Sequence, residues 1–146
     1  GEVRLRITAK AETADEADRM CAPVVDEICS RLGDVVYGTD MNSIEERVVA
    51  LLKEKGKKIA TAESCTAGYI PKRLTDIPGA SEVFECGIVS YSNDIKTKLL
   101  GVSLKTLDTY GAVSEQTARE MALGAKRVSG GHGRRAYSRR KDSHRP

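Results

Sequence analysis

Two stretches of this chain follow one pattern: a short β-type run, a cluster of small polar residues, then a helical run. The first is Lys57-Lys58-Ile59-Ala60-Thr61-Ala62-Glu63-Ser64-Cys65-Thr66-Ala67-Gly68, leading into a helical segment over 69–74. The second is Gly87-Ile88-Val89-Ser90-Tyr91-Ser92-Asn93-Asp94-Ile95-Lys96. Strands alternating with helices specify a layered α/β domain, because helices must cover the faces of the sheet. A strand-to-helix junction also presents unpaired backbone N–H groups and the positive end of a helix dipole. Ser64, placed there, is suited to attack a carbonyl while neighbouring N–H groups hold the developing oxyanion. The plainer reading is that Ser64 or Thr66 simply caps the helix.

Before these junctions, residues 3–9 alternate apolar and polar at period two, which predicts a half-buried strand. Thr13 or Asp15 starts a helix with Ala17, Met20, Val24, Val25 and Ile28 on one face, Pro23 as a kink or late start, and Gly33 as its end. Residues 34–38 then predict a second strand, so that 1–41 reads as a β-α-β piece. Ser43 and Glu46 form a capping box for a helix with Ile44, Val48, Leu51 and Leu52 as its apolar stripe and Gly56 as its stop.

Pro71 falls in the second turn of the next helix if that helix begins near Thr66, and there it predicts a kink or a distorted turn. A strand over 86–91 leads to a helix over 94–100 capped by Asn93, and two further helices follow over 103–110 and from Ser114 onward. After Ser129 periodicity is lost, and 130–146 reads as a disordered basic tail.

Charge and cysteine content narrow the function classes. The net charge of +3 belongs to the tail, where Arg134, Arg135, Arg139, Arg140, Lys141 and Arg145 face one acid, Asp142. The other 130 residues hold 18 basic and 20 acidic side chains, so basicity gives no argument for nucleic acid. Cys21, Cys29, Cys65 and Cys86 show no metal-ligand spacing, and both histidines, His132 and His144, lie in the tail; no metal is expected in the body. Scattered cysteines without a signal peptide fit a reducing cytoplasm, and no apolar run approaches a membrane span. Cys65 is read as an inert packed residue, with a reactive thiol as the alternative. With no histidine in the body, a Ser-His-Asp arrangement is excluded, and lysines and carboxylates remain as candidate bases for Ser64.

The segments Thr61-Ala62-Glu63-Ser64-Cys65-Thr66, Thr75-Asp76-Ile77-Pro78-Gly79, Tyr91-Ser92-Asn93 and Gly111-Ala112-Val113-Ser114-Glu115 together carry a resemblance. Residues 43–129 resemble the C-terminal domain of the CinA (competence/damage-inducible protein A) family, whose activity is deamidation of nicotinamide mononucleotide. The resemblance implies that Ser64 is the catalytic serine, Lys96 the catalytic lysine and Tyr91 the site tyrosine. Glu63, Cys65, Thr66, Gly68 and Asn93 are then the candidate substrate contacts, as loop-shaping or nucleotide-binding groups. A lysine base near neutral pH needs its pKa lowered by about three units, ~4 kcal/mol, which burial and the start of a helix both favour. The Lys96 ammonium is then expected within hydrogen-bond reach of the Ser64 hydroxyl.

Three segments are expected on this reading: a KH-like linker-domain remnant over 1–41, an incomplete deamidase domain over 42–129, and the tail over 130–146. Family members continue after the last helix with a further core strand and a glycine-rich loop. Their lack here suggests a change of reading frame, and a chain with little activity of its own. The expected partner is a small nucleotide substrate, with no organic or metal cofactor, no membrane and no nucleic acid. A completed domain is expected to form a homo-oligomer. The alternative is a non-catalytic remnant, or an RNA-binding or regulatory module; the first segment contains no GxxG loop to support RNA binding.

Overall fold

The computed structural model describes residues 2–130 and 135–138. The chain divides into two compact units, Gly1–Met41 and Asn42–Pro146. In the first, helix α1 (Ala14–Leu32) starts at Thr13, whose hydroxyl accepts from the Glu16 N–H at 3.3 Å, and continues through Pro23. Gly33 ends it at φ 56°, and a short 3-10 turn covers Gly33–Val35. The two strands expected beside α1 do not form. Residues 2–11 and 36–38 have no strand assignment, and the described sheet draws no strand from this unit. Alternation sets which face a segment would bury, but only a paired ladder makes it a strand. The two segments meet instead through side chains, with the Tyr37 hydroxyl donating to Glu2 Oε2 at 3.2 Å.

The second unit is a three-layer α/β/α domain, as the alternating pattern required. Its elements are α2 (Ile44–Glu54), β1 (Ile59–Glu63), α3 (Tyr69–Thr75), β2 (Phe84–Val89), α4 (Asn93–Leu100), α5 (Leu104–Tyr110), α6 (Glu115–Val128) and β3 (Arg135–Ser138). The sheet is parallel in the order β2-β1-β3, with β1 in the centre. Because successive strand residues point to opposite faces, Ala60 and Ala62 pack on Leu100, Val102, Leu107, Met121 and Ala125 from α4 to α6. Ile59 joins Val49, Leu74, Ala80 and Val83 on the α2–α3 side. Val49, outside the predicted stripe, is the buried apolar residue of α2, whereas Ile44 is exposed.

The strand Arg135–Ser138 corrects the expectation of a disordered tail at those four residues. It pairs with β1 from Ile59 to Ala62. A central parallel strand offers an open row of N–H and C=O groups on its second edge. Four extended residues satisfy that row without any hydrophobic period that a sequence would reveal. The rest of the expected tail lies outside the described residues.

Pro71 also departs from expectation, because α3 begins at Tyr69 rather than near Thr66. Pro71 is therefore the third helical residue, in the first turn, where its missing N–H breaks no intrahelical bond. Its ring lies over Gly87 of β2: a Cβ at Gly87 would stand 2.5 Å from Pro71 Cγ.

The other close approach is between α6 and α4. A Cβ on Gly124 would overlap the Leu100 carbonyl oxygen and stand 2.7 Å from Leu100 Cα. The obstruction is backbone, so Gly124→Ala is expected to destabilise the domain by about 1–3 kcal/mol, the usual cost of overpacking. Urea denaturation would read this as a lowered midpoint; an unchanged midpoint would mean that α6 slides aside freely.

Candidate active site

The β1–α3 junction is organised by a carboxylate. Glu63, at the end of β1, is 1% exposed. Its Oε2 accepts from the Gly68 N–H at 3.2 Å, the Tyr69 N–H at 3.0 Å and the Thr66 hydroxyl, while Oε1 accepts from the Ile70 N–H at 2.9 Å. Lys72 N–H bonds the Gly68 carbonyl at 3.1 Å. With Pro71 lacking an N–H, every donor of the first turn of α3 is accounted for. Ala67 and Gly68 both take positive φ, 50° and 94°, which folds the loop back over the carboxylate. Among the described residues, the N–H groups of Cys65 and Thr66 have no acceptor. The helix N-terminus thus serves Glu63, and the free donors near Ser64 are those of the loop itself.

Replacing Glu63 by Gln would turn an amide NH2 toward N–H groups that now point at oxygen. Leaving a buried donor unsatisfied costs about 1–3 kcal/mol, and bonds to a charged acceptor are the stronger kind. Glu63→Gln is expected to lower unfolding free energy by about 2–3 kcal/mol in chemical denaturation. A loss below about 0.5 kcal/mol would show that the carboxylate does not hold the turn.

The β2–α4 junction supplies the second group. Ser92, not Asn93, is the cap of α4: its hydroxyl accepts from the Ile95 N–H at 3.3 Å, and Asn93 is the first helical residue, exposed to solvent. This places Lys96 at the start of the second turn, 2% exposed, beneath the β1–α3 loop. Its Nζ lies 2.9 Å from the Ser90 carbonyl, 2.9 Å from the Tyr91 carbonyl and 3.3 Å from Ser64 Oγ. Burial pulls the Lys96 pKa below the ordinary lysine range; Cys65, when ionised, opposes that shift.

Nζ donates to the two carbonyls and to Ser64 Oγ. Once the amine is neutral, its two N–H groups keep the carbonyls and its lone pair takes the position that faces the Ser64 hydroxyl. Such an arrangement can take a proton from Ser64 and return one to a leaving group.

The other sequence-predicted residues are distributed around this pair. Tyr91 is 76% exposed and meets Lys96 through its carbonyl. Thr66 and Gly68 bond Glu63, whose own oxygens are turned into α3. Cys65 is exposed beside Ser64, which corrects the expectation of a packed residue. Sequence reasoning missed Ser90, which places a carbonyl on Nζ. The alternation of Cys86 and Ile88 along β2, carried one step past its end to Ser90, was the available signal that Ser90 turns inward.

A three-layer α/β domain with a buried lysine on a junction serine defines a class, and comparison with known proteins identifies the family. Residues 41–133 match the model of the CinA C-terminal domain, and residues 1–38 match that of the damage-inducible protein CinA KH domain. A CinA-like protein of Desulfovibrio desulfuricans is 51% identical over 125 residues, covering 86% of this chain and 29% of its own length. A putative competence-damage inducible protein of Clostridium beijerinckii is 55% identical over 127 residues, covering 87% of this chain and 31% of its own.

Among solved structures, the competence/damage inducible protein CihA of Agrobacterium tumefaciens is similar at a TM-score of 0.56 and 45% identity. That match covers 62% of this chain and 57% of that one. A competence or damage-inducible protein of Enterobacter asburiae gives a TM-score of 0.59 at 32% identity, covering 62% and 58%.

The chain belongs to the CinA family. It spans about three tenths of the length of the curated relatives it matches. Among the described residues no helix is long and apolar enough to cross a membrane.

Proposed function

We propose that the second unit is a nicotinamide-nucleotide amidase, converting nicotinamide mononucleotide and water to nicotinate mononucleotide and ammonia. The observation that carries this reading is the Lys96 Nζ held 3.3 Å from Ser64 Oγ by two backbone carbonyls. Lys96 takes the Ser64 proton as Oγ bonds to the carboxamide carbon. Collapse of the tetrahedral species passes that proton to the nitrogen, which leaves as ammonia and leaves an ester on Ser64. Water then attacks the ester carbon, its proton going to Lys96 and from there to the Ser64 oxygen, so that the acid is released and both side chains are restored.

The N–H groups of Cys65 and Thr66 are the candidate oxyanion donors. Asn93, exposed at the start of α4, and the exposed Tyr91 are the candidate contacts for the nucleotide. No group in this scheme requires a cofactor.

The test combines product analysis with trapping. The sequence alone pointed to little activity for want of a further core strand, but β3 fills the open edge of β1. The purified protein with nicotinamide mononucleotide should therefore release ammonia and nicotinate mononucleotide in equal amounts, and acid-quenched mixtures should contain an acyl-nucleotide ester on Ser64 by mass spectrometry. Ammonia formed with Ser64 never modified would remove the covalent route. Absence of both products would remove the amidase reading.

A further inference from the structure

Ser90 holds a hydroxyl that the scheme above does not use. The residue is 0% exposed. Its N–H donates to the Glu63 carbonyl at 2.8 Å and its carbonyl accepts from Lys96 Nζ at 2.9 Å. Its Oγ has no partner among the described residues. A buried hydroxyl without a partner is costly and calls for a reason. The hydroxyls of Thr61 and Thr97 are in the same state, but neither is placed as Ser90 is. Thr61 lies by Pro71 and Gly87, on the α3 side of the sheet. Thr97 follows Lys96 directly on α4, and consecutive helical side chains do not face each other. Ser90 belongs to a residue already bonded to Nζ.

We propose that the Ser90 hydroxyl positions Lys96 by accepting the third ammonium hydrogen that appears when Lys96 takes the Ser64 proton. The proposal rests on the amidase reading for its chemistry, though not for its test. As a neutral amine Lys96 has two N–H groups, and the carbonyls of Ser90 and Tyr91 take both. As an ammonium it has three. At that moment Ser64 Oγ has become bonded to the carboxamide carbon and is a weaker acceptor, while burial keeps bulk water from Nζ. The Ser90 hydroxyl, buried and without a partner among the described residues, belongs to the residue whose carbonyl already bonds Nζ, and a charge-assisted bond is the strong kind.

Charged groups around Lys96 do not supply an acceptor instead. Cys65 lies in the loop above it and acts on its charge; Glu63 of β1 is turned into α3; Asp94 and Lys98 of α4 are exposed. On α6, Glu120 bonds Ser103 and Thr106, and Arg127 bonds the Leu100 carbonyl.

The experiment titrates Lys96 directly in the 146-residue chain carrying Ser64→Ala, which removes the other acceptor of the third hydrogen. Lysine is 13C-labelled, the Lys96 ε-methylene signal is assigned by its loss in Lys96→Met, and its pKa is followed by NMR in this background alone and with Ser90→Ala or Ser90→Thr. Loss of the acceptor disfavours the ammonium, so Ser90→Ala should lower the Lys96 pKa by about one unit, a tenfold change in protonation. Ser90→Thr, which keeps a hydroxyl, should restore it. In a turnover assay with Ser64 intact, kcat should fall about tenfold in Ser90→Ala with KM unchanged, by the same conversion.

If Ser90→Ala does not fold, Ser90→Cys takes its place, since a thiol is a weak acceptor. An unmoved Lys96 titration, with or without a gain in stability, would overturn the proposal and mark the hydroxyl as idle. If no variant and no wild type turns over substrate, the amidase reading fails, while the titration still decides the role of Ser90.

Discussion

Ser64→Ala should abolish ammonia release from nicotinamide mononucleotide, with a fall in kcat on the order of 10⁴-fold or more, the scale set by removing a nucleophile. The substitution deletes one oxygen from a half-buried loop position; among the described residues that oxygen bonds Lys96 Nζ, and the Ala67 N–H bond to the Ser64 carbonyl is untouched. Glu63 keeps α3 in place without it. Nucleotide affinity should therefore change by less than about threefold by equilibrium dialysis, because in the proposed mechanism the oxygen acts in the transition state and not in ground-state binding. An alanine variant with more than about a tenth of wild-type turnover would mean that water attacks directly and that Lys96 activates it.

Substitution of Lys96 should be as damaging, and its two variants separate the possible roles. Lys96→Met keeps the aliphatic volume and removes the amine; Lys96→Arg keeps a charge that cannot be neutral near pH 7. Both should lose on the order of 10³-fold or more in kcat, within the range for losing a base that also serves as the acid. If Lys96→Arg remains active, the lysine acts as a fixed positive charge.

The same residue sets a pH dependence of stability. Its folded pKa is depressed below about 10.5 by burial. Between the depressed value and the unfolded one, the unfolded chain binds the extra proton, so stability rises with pH across that window and is lost as pH falls through it. Lys96→Met should flatten this slope and be more stable than wild type below the window. A slope that survived in Lys96→Met would have to come from another group.

What the sequence disclosed follows physical range. The Ser64 and Lys96 junctions were legible because each packs its information into about ten consecutive residues: an apolar run, small polar residues and a helix start. Caps at Thr13, Ser43 and Ser114 were legible for the same reason, since the hydroxyl bonds an N–H three residues on. The role of Glu63 was harder to read. A carboxylate at a strand end looks solvated until the chain three to seven residues later folds back to bury it.

Pro71 was misjudged because its effect depends on where α3 begins, and that start is set by the Glu63 bonds. The first unit's strands and β3 failed in opposite directions for one cause. Pairing is made with distant backbone, so a good alternation can lack a ladder and an undistinguished tetrapeptide can have one.

The contact of Gly124 with Leu100 has a reach beyond packing. Leu100 closes the helix that carries Lys96, and its carbonyl is held by Arg127 at 2.6 Å, so α6 grips the far end of α4 through two backbone-directed contacts. An eight-residue helix is a rod about 12 Å long. Any change that pushes its far end along the axis is delivered almost undiminished to Nζ. An Nζ–Oγ distance of 3.3 Å leaves only a few tenths of an ångström of slack for a hydrogen bond. The gauge of the serine–lysine gap is therefore ground at the opposite end of the helix, and variants on α6 that never approach substrate should tune the reaction rate.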